Sequence, residues 1–116
     1  MNRIISREEL RIMLSSANRP VLVEALPEKY YVAQHLPGAL HLPHDRVDAL
    51  AATVIADKSA QIVVYCASRQ CQNSHIAAHH LAALGYSDVS VYAAGKQDWD
   101  EAGLPFETGI AHAVAA

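Results

Sequence analysis

The stretch Val63-Val64-Tyr65-Cys66-Ala67-Ser68-Arg69-Gln70-Cys71-Gln72-Asn73-Ser74-His75 (residues 63–75) decides how the chain is read. With Ile62 before it, it opens on an unbroken apolar run without polar alternation, the pattern of a strand buried on both faces. Cys66 to Asn73 then carries neither a helical nor a strand period. Ser74 offers an N-cap to a helix read from His75 to Leu84, which Gly85 closes at C′. A strand passing through a polar loop into a helix is the unit from which parallel sheets are built. In such sheets ligands bind beyond the carboxyl ends of the strands, and Cys66 is the first residue there.

The same alternation recurs outward from this unit. Upstream, Val21-Leu22-Val23 reads as a buried strand and Ala39 to Leu42 as a further short one stopped by Pro43, with Pro27 to Pro37 as a loop between them. Ser6 to Ala17 reads as a helix, because Leu10, Met13, Leu14 and Ala17 follow the i, i+3, i+4, i+7 spacing and Ser6 with Glu9 forms a capping box. Asp45 to Ala56 is a second helix with Val47, Leu50, Ala51 and Val54 on one face. Downstream, Val89-Ser90-Val91-Tyr92 is a strand, and Gly95 precedes a short last helix packed through Trp99 and ended by Gly103-Leu104-Pro105. The order α-β-(β)-α-β-α-β-α predicts an α/β fold with a parallel sheet and helices on both faces.

With 116 residues, the chain fits one compact domain, 1–116. A composition of 52% apolar and 18% charged residues is that of a globular chain. The 9 Lys and Arg residues are scattered and the net charge is −3, so no nucleic-acid partner is expected. Apolar runs such as Ile62 to Ala67 fall far short of the ~20 residues a membrane span needs. No long apolar stretch follows Met1-Asn2-Arg3, so no signal peptide is read, and a soluble, cytoplasmic protein is expected.

Two cysteines five residues apart suit catalysis, redox chemistry or metal binding better than a structural disulfide. A loop between a buried strand and a helix can curl its N–H groups inward, and the helix N-terminus adds partial positive charge. Both favour a thiolate at Cys66, whose pKa such settings lower from about 8.5 to roughly 3.5–7.5. Ser68, Gln70, Gln72 and Asn73 offer further donors, and Arg69 is the loop's cation. Cys71 reads as a resolving thiol, closing a disulfide with Cys66 or accepting sulfur from it, or as a packing neighbour. The bland alternative for Cys66 is a small buried hydrophobe. A metal site would draw on Cys66, Cys71, His75 and His79; the simpler reading of His75, His79 and His80 is a helix face. A phosphatase loop needs Arg six positions after the nucleophile, where Gln72 stands. His35, His41 and His44 flank Pro37-Gly38 and suit loop hydrogen bonding, Tyr30 and Tyr31 suit a site entrance or the surface, and Glu24 is expected to hydrogen-bond the loop around Pro37.

Three stretches, residues 34–43 (QHLPGALHLP), the cysteine loop with residues 77–86 (AAHHLAALGY), and residues 92–105 (YAAGKQDWDEAGLP), together resemble the rhodanese-homology domain of the single-domain sulfurtransferase type. The resemblance covers a core of about residues 4–106, leaving a tail of 107–116 expected to be flexible. It implies a parallel five-stranded α/β sheet and a catalytic Cys66. That cysteine carries sulfur as a persulfide from a small anionic donor, such as thiosulfate or a persulfide, to a thiol, protein or cyanide acceptor. The loop Ala67, Ser68, Arg69, Gln70, Cys71, Gln72 and Asn73 holds the substrate, with no cofactor and no metal. The chain departs from the family pattern in three places. Cys71 stands near where a cation often ends the loop, the distance to Ala77-Ala78 is about two residues longer, and Glu24-Ala25-Leu26 replaces an Asp-x-Arg. A non-catalytic sulfur-carrier or redox-sensing module is the competing expectation.

Overall fold

Alternation of side chains along each strand divides the core between two faces of one sheet. The computed structural model describes residues 2–110. Its elements follow the chain as β1 (Arg3–Ile4), α1 (Arg7–Leu14), β2 (Val21–Glu24), α2 (Glu28–Ala33), β3 (Leu40–His41), α3 (Val47–Val54), β4 (Gln61–Tyr65), α4 (Asn73–Ala83), β5 (Asp88–Tyr92) and α5 (Gly95–Glu101). The five strands pair in parallel in the order β1-β5-β4-β2-β3, which places β4 at the centre. This is the α/β architecture the sequence predicts.

On β4, Ile62 and Val64 face one cluster with Val47, Ala51 and Val54 of α3 and Ala77, Ala78 and Leu81 of α4. Val63 and Tyr65 face the other, with Leu10 of α1, Tyr31 of α2 and Trp99 of α5. The unbroken apolar run is therefore a strand covered on both sides. The capping box of α1 is present, with the Glu9 N–H donating to Ser6 Oγ and the Ser6 N–H to Glu9 Oε1, both at 3.1 Å. The helix stops at Leu14, short of Ala17, because the Ser15 and Ser16 hydroxyls donate to the Arg11 and Met13 carbonyls at 2.9 and 2.8 Å.

Two elements are absent from the sequence reading. β1 is only two residues long, too short to show a period. α2 lies inside the segment read as a loop; it opens on the Pro27 carbonyl, which accepts from the Tyr30 N–H at 3.0 Å. Burial of Tyr31, whose hydroxyl donates to the Ala39 carbonyl at 2.6 Å, fixes this short turn of helix. Within the tail, residues 107–110 are described. His35 and Glu107 exchange backbone hydrogen bonds at 2.9 and 2.8 Å, and the Gly109 N–H donates to the Val32 carbonyl at 2.9 Å. The rest of the tail, 111–116, lies outside the described residues. The Trp99 indole donates to the Pro105 carbonyl at 2.8 Å, tying α5 to the chain that follows it. Among the described residues no helix is long and apolar enough to cross a membrane.

Leu81 is fully buried and anchors the helix that follows the cysteine loop, whereas Ile12 is exposed. Leu81→Ala should cost about 2–5 kcal/mol in chemical denaturation. Ile12→Ser should change stability by no more than about 0.5 kcal/mol.

Candidate active site

Strand register brings His41, Glu24, Tyr65 and Tyr92 side by side at the carboxyl ends of β3, β2, β4 and β5. Cys66 leaves the central strand at this row. Its backbone is held from α5: the Lys96 N–H donates to the Cys66 carbonyl at 3.0 Å and the Gln97 N–H to the Ala67 carbonyl at 2.9 Å. So close an approach requires glycine at 95. Gly95 has φ +66°, and a Cβ there would lie 2.5 Å from the Cys66 carbonyl oxygen and 2.9 Å from the Ala67 carbonyl carbon. At the other end, the loop turns back on itself through a Cys71 N–H donating to the Ser68 carbonyl at 3.1 Å.

Cys66 is fully buried, and Cys71 is half-buried. The Cys66 thiol donates to the Cys71 carbonyl at 3.5 Å, lies 3.3 Å from Ser74 Oγ, and accepts the Ser74 N–H at 3.4 Å. Burial pushes the Cys66 thiol up to about 11. The Cys71 thiol adds to the rise, while the Ser74 hydroxyl and N–H act against it. The expected lowering of this pKa is therefore corrected. The N–H that reaches the sulfur is the one at Ser74, and that is too little to offset burial.

Ser74 is a second correction. α4 begins at Asn73, one residue before the cap the sequence suggested, and the N-cap Gln72 makes no side-chain cap bond. Ser74 lies within the first turn, buried, with its N–H and hydroxyl at the sulfur. Sequence reasoning missed this contact because Ser before an apolar helix reads first as a cap. The available signal was its position, at the start of the helix that follows a strand-end cysteine.

Arg69 is exposed and stands on the outer flank of the loop. It lines a cavity of about 440 Å³ with Ser6, Arg7, Ala94 and Asp98, and a cleft of about 210 Å³ with Gln70, Gln97 and Glu101; Cys66 lines neither. Asp98 there accepts from Arg7 at 2.9 Å and from the Tyr92 hydroxyl at 2.6 Å. Burial, reinforced by Asp98, holds the Tyr92 phenol far above its ordinary range. Ala67 and Gln70 are exposed with Arg69, Ser68 is half-buried, and Gln72 and Asn73 pass into α4.

Glu24, fully buried, is a further part of the site. Lys96 Nζ lies 3.0 Å from Glu24 Oε1 and donates to the Tyr30 carbonyl at 3.0 Å. The Tyr65 hydroxyl donates to Glu24 Oε1 at 2.8 Å and accepts the Leu36 N–H at 3.0 Å. Glu24 thus reaches the segment before Pro37 through Tyr65. Burial raises its pKa, with Lys96 and Tyr65 pulling it back down. Lys96 as its partner was not visible in the sequence.

Three histidines take structural places. His35 is buried and stacked on Tyr31 at 4.0 Å, His41 Nε2 lies 2.7 Å from the Leu26 carbonyl, and His80 Nδ1 lies 3.3 Å from Asp48. Among the described residues no three His, Cys, Asp or Glu side chains gather to hold a metal ion, and Cys66, Cys71, His75 and His79 make no such group.

Residues 6–102 match the rhodanese-like domain family, and the chain belongs to it. It is 30% identical over 105 residues to the HTH-type transcriptional regulator Rv0324 of Mycobacterium tuberculosis, covering 90% of this chain and 45% of the regulator. A crystal structure of thiosulfate sulfurtransferase from Pseudomonas aeruginosa superposes with a TM-score of 0.80 at 23% identity, over 92% of this chain and 20% of that one. A human single-domain sulfurtransferase superposes with a TM-score of 0.75 at 23% identity, over 87% of this chain and 97% of that one. The chain thus spans less than half of the regulator and a fifth of the Pseudomonas enzyme.

Two substitutions test the supports of the loop. Gly95→Ala forces a left-handed conformation, costing ~1–2 kcal/mol, and adds a backbone clash. Chemical denaturation should show a loss above that strain alone. Lys96→Met should cost about 3–5 kcal/mol at neutral pH by stranding the buried Glu24 carboxylate. The loss should shrink in mild acid, where a raised-pKa carboxyl protonates, and Glu24→Gln in the same chain should recover most of it.

Proposed function

We propose that the protein is a rhodanese-type sulfurtransferase that carries sulfane sulfur as a persulfide on Cys66. The observation that carries this reading is the convergence of the Ser74 N–H and hydroxyl on Cys66 Sγ, at the carboxyl end of the central strand. Membership of the rhodanese-like family supports it. In the first half-reaction the Cys66 thiolate attacks the outer sulfur of a donor such as thiosulfate or a persulfide. The donor's S–S bond breaks, and sulfite or a thiolate leaves with the bonding electrons. In the second, a thiolate or cyanide takes the outer sulfur and the electron pair returns to Cys66. The Ser74 N–H and hydroxyl meet the negative charge on Cys66 in both. Arg69, exposed on the rim, draws anionic donors to the loop. Because Cys66 is covered, the loop at Cys71 moves aside for loading while Ser74, in the first turn of α4, stays at the sulfur.

A second reading is favoured by the sealed, protonated thiol and by the likeness to a transcriptional regulator: a sulfur-carrier or redox-sensing module that loads without turning over. Incubation with thiosulfate followed by cyanide or a thiol, read by intact mass and by product formation, tests both. Wild-type protein should gain the mass of one sulfur atom and release it to the acceptor. Cys66→Ser should lose turnover by roughly 100-fold or more. Turnover kept by Cys66→Ser contradicts the proposal, and loading without release supports the module.

A further inference from the structure

Resting on that reading, we propose that Cys71 discharges the Cys66 persulfide internally, releasing hydrosulfide and leaving a Cys66–Cys71 disulfide, so that a loaded protein without an acceptor switches itself off. The loop folds back so that Cys71 meets Cys66 at the sulfur itself: the Cys71 carbonyl lies 3.5 Å from Cys66 Sγ, and the turn from Ser68 to Cys71 holds it there. On the Cys66 side the chain is fixed by the Lys96 and Gln97 amides. Cys71 is half-buried and free, within one residue's reach of the sulfur it would attack.

The step balances without an external oxidant. The Cys71 thiol loses its proton and attacks the inner sulfur, Cys66 Sγ. A bond forms between the two Sγ atoms as the bond from Cys66 Sγ to the outer sulfur breaks. The outer sulfur leaves with the electron pair and takes the proton as hydrosulfide. Cys71 is oxidised to the disulfide level and the sulfane sulfur is reduced to sulfide. Attack on the outer sulfur instead would pass the sulfur to Cys71 and expel the Cys66 thiolate. Thiol exchange runs faster with the less basic leaving group. Burial makes Cys66 the more basic of the two, so hydrosulfide is the better one to leave.

The test loads the protein with thiosulfate, removes excess donor, and follows it without an acceptor. Trypsin cleaves after Lys58, Arg69 and Lys96, which puts Cys66 and Cys71 on separate peptides. Wild-type protein should lose its added sulfur, release sulfide in equal amount, and yield the two peptides joined by a disulfide. Cys71→Ser should hold its persulfide roughly tenfold longer or more and release no sulfide. Equal persulfide lifetimes in the two proteins would overturn the inference. A wild-type protein that gains no sulfur at all would overturn the transferase reading instead. A second arm is independent of loading: mild oxidation of the protein with diamide should join the two peptides, and added sulfide should then regenerate a persulfide on Cys66. Failure of the peptides to join would overturn the inference by itself.

Discussion

Covering the Cys66 sulfur is the constraint around which the loop is arranged. Burial disfavours a charged sulfur, and the one N–H that meets it, from Ser74, offsets this only in part. The thiol has two acceptors within reach, the Cys71 carbonyl and Ser74 Oγ, and Cys71 also carries the second sulfur. Access to the sulfur is therefore tied to the position of the loop: whatever moves Cys71 away removes the carbonyl that covers it and one of the two acceptors of its proton.

The supports of this arrangement come from distant parts of the chain. Lys96 holds the Cys66 carbonyl through its N–H, while its ammonium pairs with Glu24 and caps the Tyr30 carbonyl. Tyr65, the residue before Cys66, bridges Glu24 to the Leu36 N–H. A buried ion pair and a tyrosine thus link β2, α2, the segment before Pro37 and α5 to the first residue of the loop. Buried charges persist only when paired and hydrogen-bonded, and Glu24 meets that requirement through both partners.

Much of the frame was legible because it is written locally. The run from Ile62 to Tyr65 marks a doubly covered strand and places Cys66 at its end, and Ser6 with Glu9 announces the start of α1. Less legible were features set by tertiary contact. β1 is too short for a period, and α2 exists because Tyr31 is buried against Ala39. The Glu24–Lys96 pair joins residues 72 apart, beyond any local pattern. At the site, the position of Cys66 at the end of the central strand could be read from the chain, but its ionisation could not. That depends on how many amides turn toward the sulfur and how much solvent is excluded, and both follow from the final course of the loop.

The most direct measurement is a titration of the Cys66 thiolate by its ultraviolet absorbance in Cys71→Ser protein, with the Cys66→Ser, Cys71→Ser double variant subtracted to remove tyrosine ionisation. Because burial is the largest cause of the rise and remains when Cys71 is replaced, the account predicts a midpoint well above neutrality, so that the thiol is protonated throughout the neutral range. A midpoint below neutrality would contradict it, and would mean that loop amides, rather than burial, govern the sulfur.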